Sequence, residues 1–261
     1  MLVKVFDKEE YADAFLQHGE MLCRTLGEFK RIEGDEARGD KYEGVTDWHQ
    51  PDQVKVTISY KDQAGVEHVI PIEKLAGPMI IQNSHLDDYN LFCTYAVKID
   101  VPDETYETRE ALLEAVQKVN DGLMCQMAVN DEAFSLGHYA VVVYQVEEFF
   151  ERVEKTVESL GADHARSPVI YYDPETFHGS FKGVQAAFRK RSTYAYQNEY
   201  RFLFDFPGAV GTKTFQVGAL SDIAFKVTCG EINSLLKLKL YVRDEADVVQ
   251  SGADDGVVTE S

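Results

Sequence analysis

The run Tyr200-Arg201-Phe202-Leu203-Phe204-Asp205-Phe206 places an aromatic residue at every second position. Successive side chains of a strand point to opposite faces. Tyr200, Phe202, Phe204 and Phe206 therefore share one face of a strand, and Glu199, Arg201, Leu203 and Asp205 share the other. Pro207-Gly208 ends it. The chain must build a sheet around this strand, with an acid and a base side by side on its non-aromatic face.

Other segments alternate in the same way. Residues 54–60 and 66–72 flank the turn Lys61-Asp62-Gln63-Ala64-Gly65 and read as a hairpin of half-buried strands. Residues 21–23, 91–99, 139–144, 169–172, 214–217 and 238–242 read as further strands. Helical spacing is equally plain elsewhere. Residues 9–18 carry Tyr11, Ala14 and Phe15 on one face and stop at Gly19. Thr108 caps a helix with Leu112, Leu113, Val116, Val119 and Leu123 on one side. Residues 147–160 bury Phe149, Phe150, Val153, Val157 and Leu160, and Gly161 closes the helix. Residues 25–32 form a short helical turn, and 33–47, rich in Gly, Asp and Glu, a loop. The class is α+β: one domain over residues 1–243 with a mixed or mainly antiparallel sheet and packed helices. Residues 244–261 hold six acids, no base and no apolar period, so a disordered acidic tail is expected there.

Composition narrows the partners. Twenty-six bases against 45 acids leave a net charge of −19. A surface this negative repels nucleic-acid phosphates and anionic membranes. No apolar run approaches the roughly 20 residues that cross a bilayer, and the N-terminus turns acidic at Asp7, without a leader's apolar core. A cytoplasmic protein is expected. The four cysteines, Cys23, Cys93, Cys125 and Cys229, form no C-x-x-C pair and read as free thiols in such a compartment. The chain has no phosphate loop, no G-x-G-x-x-G, no H-E-x-x-H and no G-x-S-x-G. His138, beside Gly137 at a strand start, is the one histidine worth following, with polar surface as its plainer role.

Two segments carry candidate chemistry. Residues 182–201 hold five bases (Lys182, Arg189, Lys190, Arg191, Arg201) against the single acid Glu199, with Tyr194, Tyr196, Gln197 and Tyr200 interleaved. Planar guanidinium forks suit phosphate or carboxylate, and tyrosine faces suit a ring. The combination points to a small anionic, nucleotide-like ligand. An ion pair between Glu199 and Arg201 that fixes the sheet explains the same residues without a ligand. The second segment is Arg38-Gly39-Asp40-Lys41-Tyr42-Glu43-Gly44. Arg38, Asp40 and Glu43 on this loop either close over the basic segment or sit in a solvated turn.

In order along the chain stand Gly19-Glu20, Phe29, Arg38-Gly39-Asp40 with Glu43-Gly44, the Gly-His-Tyr-Ala-Val-Val-Val strand and its following helix, and Val-Ile-Tyr-Tyr. Last comes Lys190-Arg191 with Tyr194, Gln197, Glu199, Tyr200 and Arg201. Over residues 15–205 this order resembles a family of bacterial and phage proteins of unknown function. It is similar also to a larger related domain with an early F-N-D-P-F-E and a late K-x-x-x-W-x-x-E-x-E-Y-R segment, from which this chain departs in both places, with Arg38-Gly39-Asp40-Lys41-Tyr42-Glu43 for the early segment and Gln197 for the first acid of the late one. The resemblance brings no activity with it. A looser analogy is to ADP-ribosyltransferases, which set a glutamate at the start of a late strand against the nicotinamide ribose of NAD. It implies NAD as cofactor, with Glu199, Arg24 and Tyr194 or Tyr196 in the corresponding roles. The resulting expectation is an enzyme or sensor for a nucleotide-like anion, an NAD-using transferase or hydrolase among the choices. The alternative is a non-enzymatic protein that meets a host or phage partner through its acidic surface.

Overall fold

The computed structural model describes residues 1–32, 39–100, 103–208 and 210–242. The fold is α+β. The sequence reading draws no boundary inside residues 1–243, but the described residues group into two compact units. One comprises residues 1–96 and 129–232, the other 97–128 with 233–242. The expected tail, 244–261, lies outside the described residues.

The larger unit is built on eight strands: β1 (Leu2–Phe6), β2 (Glu20–Thr25), β3 (Asn90–Ala96), β4 (Tyr139–Val143), β5 (Asp163–Pro168), β6 (Glu199–Asp205), β7 (Lys213–Gln216) and β8 (Ala224–Thr228). Their order is β7-β2-β3-β1-β4-β8, with β6 paired to β3 and β5, and every pairing is antiparallel. One face is the core. Leu2, Met21, Phe92, Val141, Val143, Phe202 and Phe204 lie there under helix α1 (Glu9–His18) and the later amphipathic helix Val146–Ser159. The alternating aromatics of β6 do what their spacing predicts: Phe202 meets Phe149 edge-on at 5.7 Å. Gly19 ends α1 at φ 63°, and a Cβ there would lie 2.3 Å from the Gly218 carbonyl, so both the turn and the packing require glycine.

Strand β3 is the pivot of the sheet. One edge pairs with β6, which sets Glu199 opposite Tyr95 and Arg201 opposite Cys93. The other edge is shared. Strand β1 takes Tyr95 and Ala96, and β2 takes Leu91 and Asn90. Between those pairings β1 and β2 part company, so residues 92–94 face a fork. Lys4 bridges it, donating to the Cys93 carbonyl at 2.8 Å with its ammonium 4.3 Å over the Phe92 ring.

Smaller sheets position the rest. Ile170–Tyr172 pairs in parallel with Arg189–Arg191, placing Tyr171 beside Lys190. Val45–His49 pairs with Met79–Gln82 and Gly179–Ser180. The loop expected over 33–47 thus ends earlier, because Val45 and Trp48 turn into a small core with Tyr172. The hairpin forms as read, Val56–Lys61 against Glu67–Ile72. It is not half-buried, however: both strands are almost wholly exposed, Ile58, Tyr60, Val69 and Ile70 included.

In the smaller unit α3 (Arg109–Met127) starts at Thr108, whose hydroxyl accepts from the Ala111 amide at 3.2 Å; the amphipathic helix Val146–Ser159 of the larger unit is therefore α4. Residues 238–242 are not a strand. The Asn120 side chain bonds both the amide and the carbonyl of Leu240, so that backbone is met by a side chain rather than a ladder. Tyr11, Leu113 and Leu160, assigned inward by spacing, are exposed. In α1 the buried pair is Ala12 and Phe15, three residues apart, which rotates Tyr11 off the core face. Among the described residues no helix is long and apolar enough to cross a membrane.

Helix α2 (Leu26–Lys30) begins with a capping box: Thr25 Oγ1 accepts from the Glu28 amide at 3.1 Å, and the Glu28 carboxylate accepts from the Thr25 amide at 2.7 Å. Thr25→Ala should cost about 1 kcal/mol, read as a lower urea midpoint with unchanged slope. An unchanged midpoint would show that the cap is dispensable.

Candidate functional site

The non-aromatic face of β6 carries Glu199 and Arg201 into the interior, Arg201 only 1% exposed. An isolated buried charge is costly, so each donor of that guanidinium must be met. Nε donates to Glu199 at 2.7 Å. Nη1 and Nη2 grip Glu43 in a two-bond fork at 2.8 and 2.7 Å, and Nη1 also reaches the Ala187 carbonyl at 2.7 Å. Lys190 completes the cluster with bonds to Glu199 at 2.6 Å and Gln197 at 2.7 Å, and it stands 3.6 Å from Glu43. The Glu199 amide is fixed as well, donating to the Tyr171 hydroxyl at 2.9 Å.

The segment from Gly39 to Gly44 therefore meets the basic segment. A turn at Asp40 shapes it: the Glu43 amide bonds the Asp40 carbonyl, and the Tyr42 amide bonds the Asp40 carboxylate at 3.0 Å. Gly39 is needed at its start, since a Cβ there would sit 2.5 Å from the Ile32 carbonyl. Beside the cluster, Arg191 donates to Asp40 at 3.0 Å and to Tyr194 at 3.3 Å. Its guanidinium lies 4.4 Å from the Tyr42 ring centre and 5.4 Å from that of Tyr194. The Tyr194 hydroxyl donates to the Gly39 carbonyl at 3.2 Å, and that of Tyr196 accepts from Gln197.

Electrostatics follow the pairing. Burial pushes the Glu199 carboxyl up, but Arg201 and Lys190 outweigh it and hold the group well below the usual carboxylate range. Burial pulls the Lys190 ammonium down, and Glu199 and Glu43 more than restore it. Asp40 is raised by burial and by Glu43, against the pull of Arg191. The Cys93 thiol is pushed up to about 11 by burial and Glu199, which leaves it a neutral thiol near pH 7.

On the same face of the sheet, at the fork of β1 and β2, lies an open cavity of about 660 Å³. Glu43, Lys190, Gln197, Glu199 and Arg201 line it at one end. Lys4 of β1 and Glu20, Leu22 and Arg24 of β2 line the diverging strands. Tyr11, Phe29 and Tyr95 add aromatic surface. Of the residues singled out from the sequence, Asp40, Arg191, Tyr194 and Tyr196 stand off its wall. Arg38 lies outside the described residues. His138 pairs through its backbone with Phe6 and Cys229 and is not on the wall either. Lys4 is missing from the residue-level reading, although a single base inside Leu-Val-Lys-Val-Phe is a visible signal. The described residues contain no group of three or more His, Cys, Asp and Glu placed to hold a metal.

The local excess of base read from the sequence is thus largely spent inside the protein. Lys190, Arg191 and Arg201 face Asp40, Glu43 and Glu199. Comparison with protein-family models found no match, and comparison with curated proteins and with solved structures found none that is significant.

Removing one partner from a buried pair leaves its opposite charge stranded. Glu43→Ala should destabilise the protein by about 3–5 kcal/mol, measured by chemical denaturation. A loss under about 1 kcal/mol, the range of exposed pairs, would mean that water reaches Arg201.

Proposed function

We propose that this chain binds a small anionic, nucleotide-like ligand in the cleft at the fork of β1 and β2. The observation that carries the reading is the cleft's construction. A cavity of about 660 Å³ falls within the size range of small-ligand sites. It pairs cationic and aromatic walls with a floor whose charges are already ordered. A preordered floor adds no reorganisation cost when a ligand arrives.

Glu199 is the residue for any chemistry there. Held ionised by Arg201 and Lys190, it accepts a ligand hydroxyl or faces developing positive charge, and it is no general acid at neutral pH. That is the role an NAD-using transferase or hydrolase asks of it. Arg24 and Glu199 line one cleft, as such a role requires, while Tyr95 and Tyr11 replace Tyr194 and Tyr196 as the nearby rings. A second reading, action through protein contacts, draws on the −19 charge and on the exposed apolar residues of the hairpin.

The test is thermal unfolding with NAD, ADP-ribose, nucleotides and cyclic dinucleotides. A ligand at a hundredfold over its Kd adds about 2.7 kcal/mol and raises Tm. The rise should vanish in Arg24→Ala, and survive in Arg191→Ala, whose side chain is off the cleft wall. Silence across the panel, or a rise indifferent to Arg24→Ala and Glu199→Gln, would overturn the cleft as the site and move the account to protein contacts.

A further inference from the structure

Among the described residues four cations line the cleft, and their donors are unequally committed. Arg201 is bonded at Nε, Nη1 and Nη2 to Glu199, Glu43 and the Ala187 carbonyl. Lys190 is held by Gln197 and Glu199. Lys4 is spent on the Cys93 carbonyl and the Phe92 ring. Arg24 differs. It is exposed on β2, and its guanidinium makes no hydrogen bond or ion pair with any described residue. Arg24 helps to hold the Glu28 carboxyl low, and that carboxylate is already taken up by the Thr25 amide and the Thr212 hydroxyl.

The carboxylates complete the count. Asp7, Glu20, Glu43 and Glu199 also line the cleft, as many as the cations. Among the described lining residues the formal charges cancel, inside a chain of net charge −19. Each further negative charge on a ligand therefore meets a repulsive background without a second uncommitted cation among the described lining residues to receive it. Polyphosphate sites answer this with glycine-rich loops and several donors, and the sequence has no such loop. The cleft that Arg24 lines also carries apolar and aromatic side chains: Leu22, Phe29, Ile32 and Leu91.

We infer that the cleft selects a ligand with one anionic group, a phosphodiester or carboxylate on an aromatic body, gripped in a fork by Arg24, and that it discriminates against polyphosphates. The inference rests on the cleft reading and narrows it, away from the pyrophosphates NAD and ADP-ribose and toward a monoanion. A planar guanidinium meets a two-oxygen anion with two parallel bonds, which an ammonium in its place does not.

The experiment is calorimetric titration of the full chain with a matched adenine series: adenosine, adenosine 3′,5′-cyclic phosphate, ADP and ATP. Naphthoate serves as the carboxylate arm. The cyclic phosphate or naphthoate should bind more tightly than adenosine, and affinity should fall through ADP to ATP. Arg24→Ala should weaken the monoanion at least about tenfold, the loss of a charge-assisted fork, with Arg24→Lys in between. Tighter binding of cyclic phosphate than naphthoate, or the reverse, assigns the anion as phosphate or carboxylate. ADP or ATP binding more tightly than every monoanion, in an Arg24-dependent way, overturns this inference and leaves the cleft reading standing. Monoanion binding unchanged in Arg24→Ala also overturns it. No binding by any member overturns this inference, and together with silence from NAD, ADP-ribose and cyclic dinucleotides it overturns the cleft reading too.

Discussion

A guanidinium removed from water is tolerated only where its donors are met, and Arg201 meets that demand with two carboxylates and a carbonyl from three stretches of chain. Glu199 comes from its own strand, two residues away. Glu43 comes from the 39–44 segment, and Ala187 from the turn that precedes Lys190. The demand fixes more than one side chain. Glu43 can reach Arg201 only if the segment turns at Asp40, and Lys190 is brought beside Glu199 by the parallel pairing of Arg189–Arg191 with Ile170–Tyr172. A hydrophobic cluster in the same place would hold these stretches together less specifically, because apolar contacts have no direction.

The same cluster gives the cleft its floor. The sheet opens where β1 and β2 separate along β3, and the unpaired backbone there is met by Lys4. On the core side of this fork Phe92 and Phe202 are packed under α1 and α4. On the other side the charged cluster stands at the open wall. A single sheet thus presents a dry aromatic face and a polar, preordered one, and the alternation of β6 is the common cause of both.

That alternation is also why much of the fold is legible in the sequence. Helix α1 and strand β6 lie where their periods put them, and the caps at Gly19 and Thr108 mark real ends. Strands without a pattern escape. Strand β5, Asp-His-Ala-Arg-Ser-Pro, is paired on one side only and has no apolar face to show. Strand β1 is five residues long and interrupted by Lys4. The opposite error occurs at 238–242, where alternation without a partner strand makes no sheet. For the site, period two places Glu199 and Arg201 together. The contacts of Arg201 and Arg191 with Glu43 and Asp40 span more than 150 positions, and no local pattern reports them. Composition also misleads here. Counting bases over 182–201 measures charge along the chain, while the fold supplies the neutralising acids from elsewhere.

The central claim is that the buried pairing of Arg201 ties the 39–44 segment to the sheet. Native-state hydrogen exchange on wild type and Arg201→Lys tests it most directly, since exchange reports the opening of each segment separately. The account predicts that the amides of Tyr42 and Glu43, and those of Val45–His49, lose protection by at least about tenfold more than the amides of Val141 to Val143 in the core. Equal loss in both regions, or unchanged protection at Tyr42 and Glu43, would contradict it.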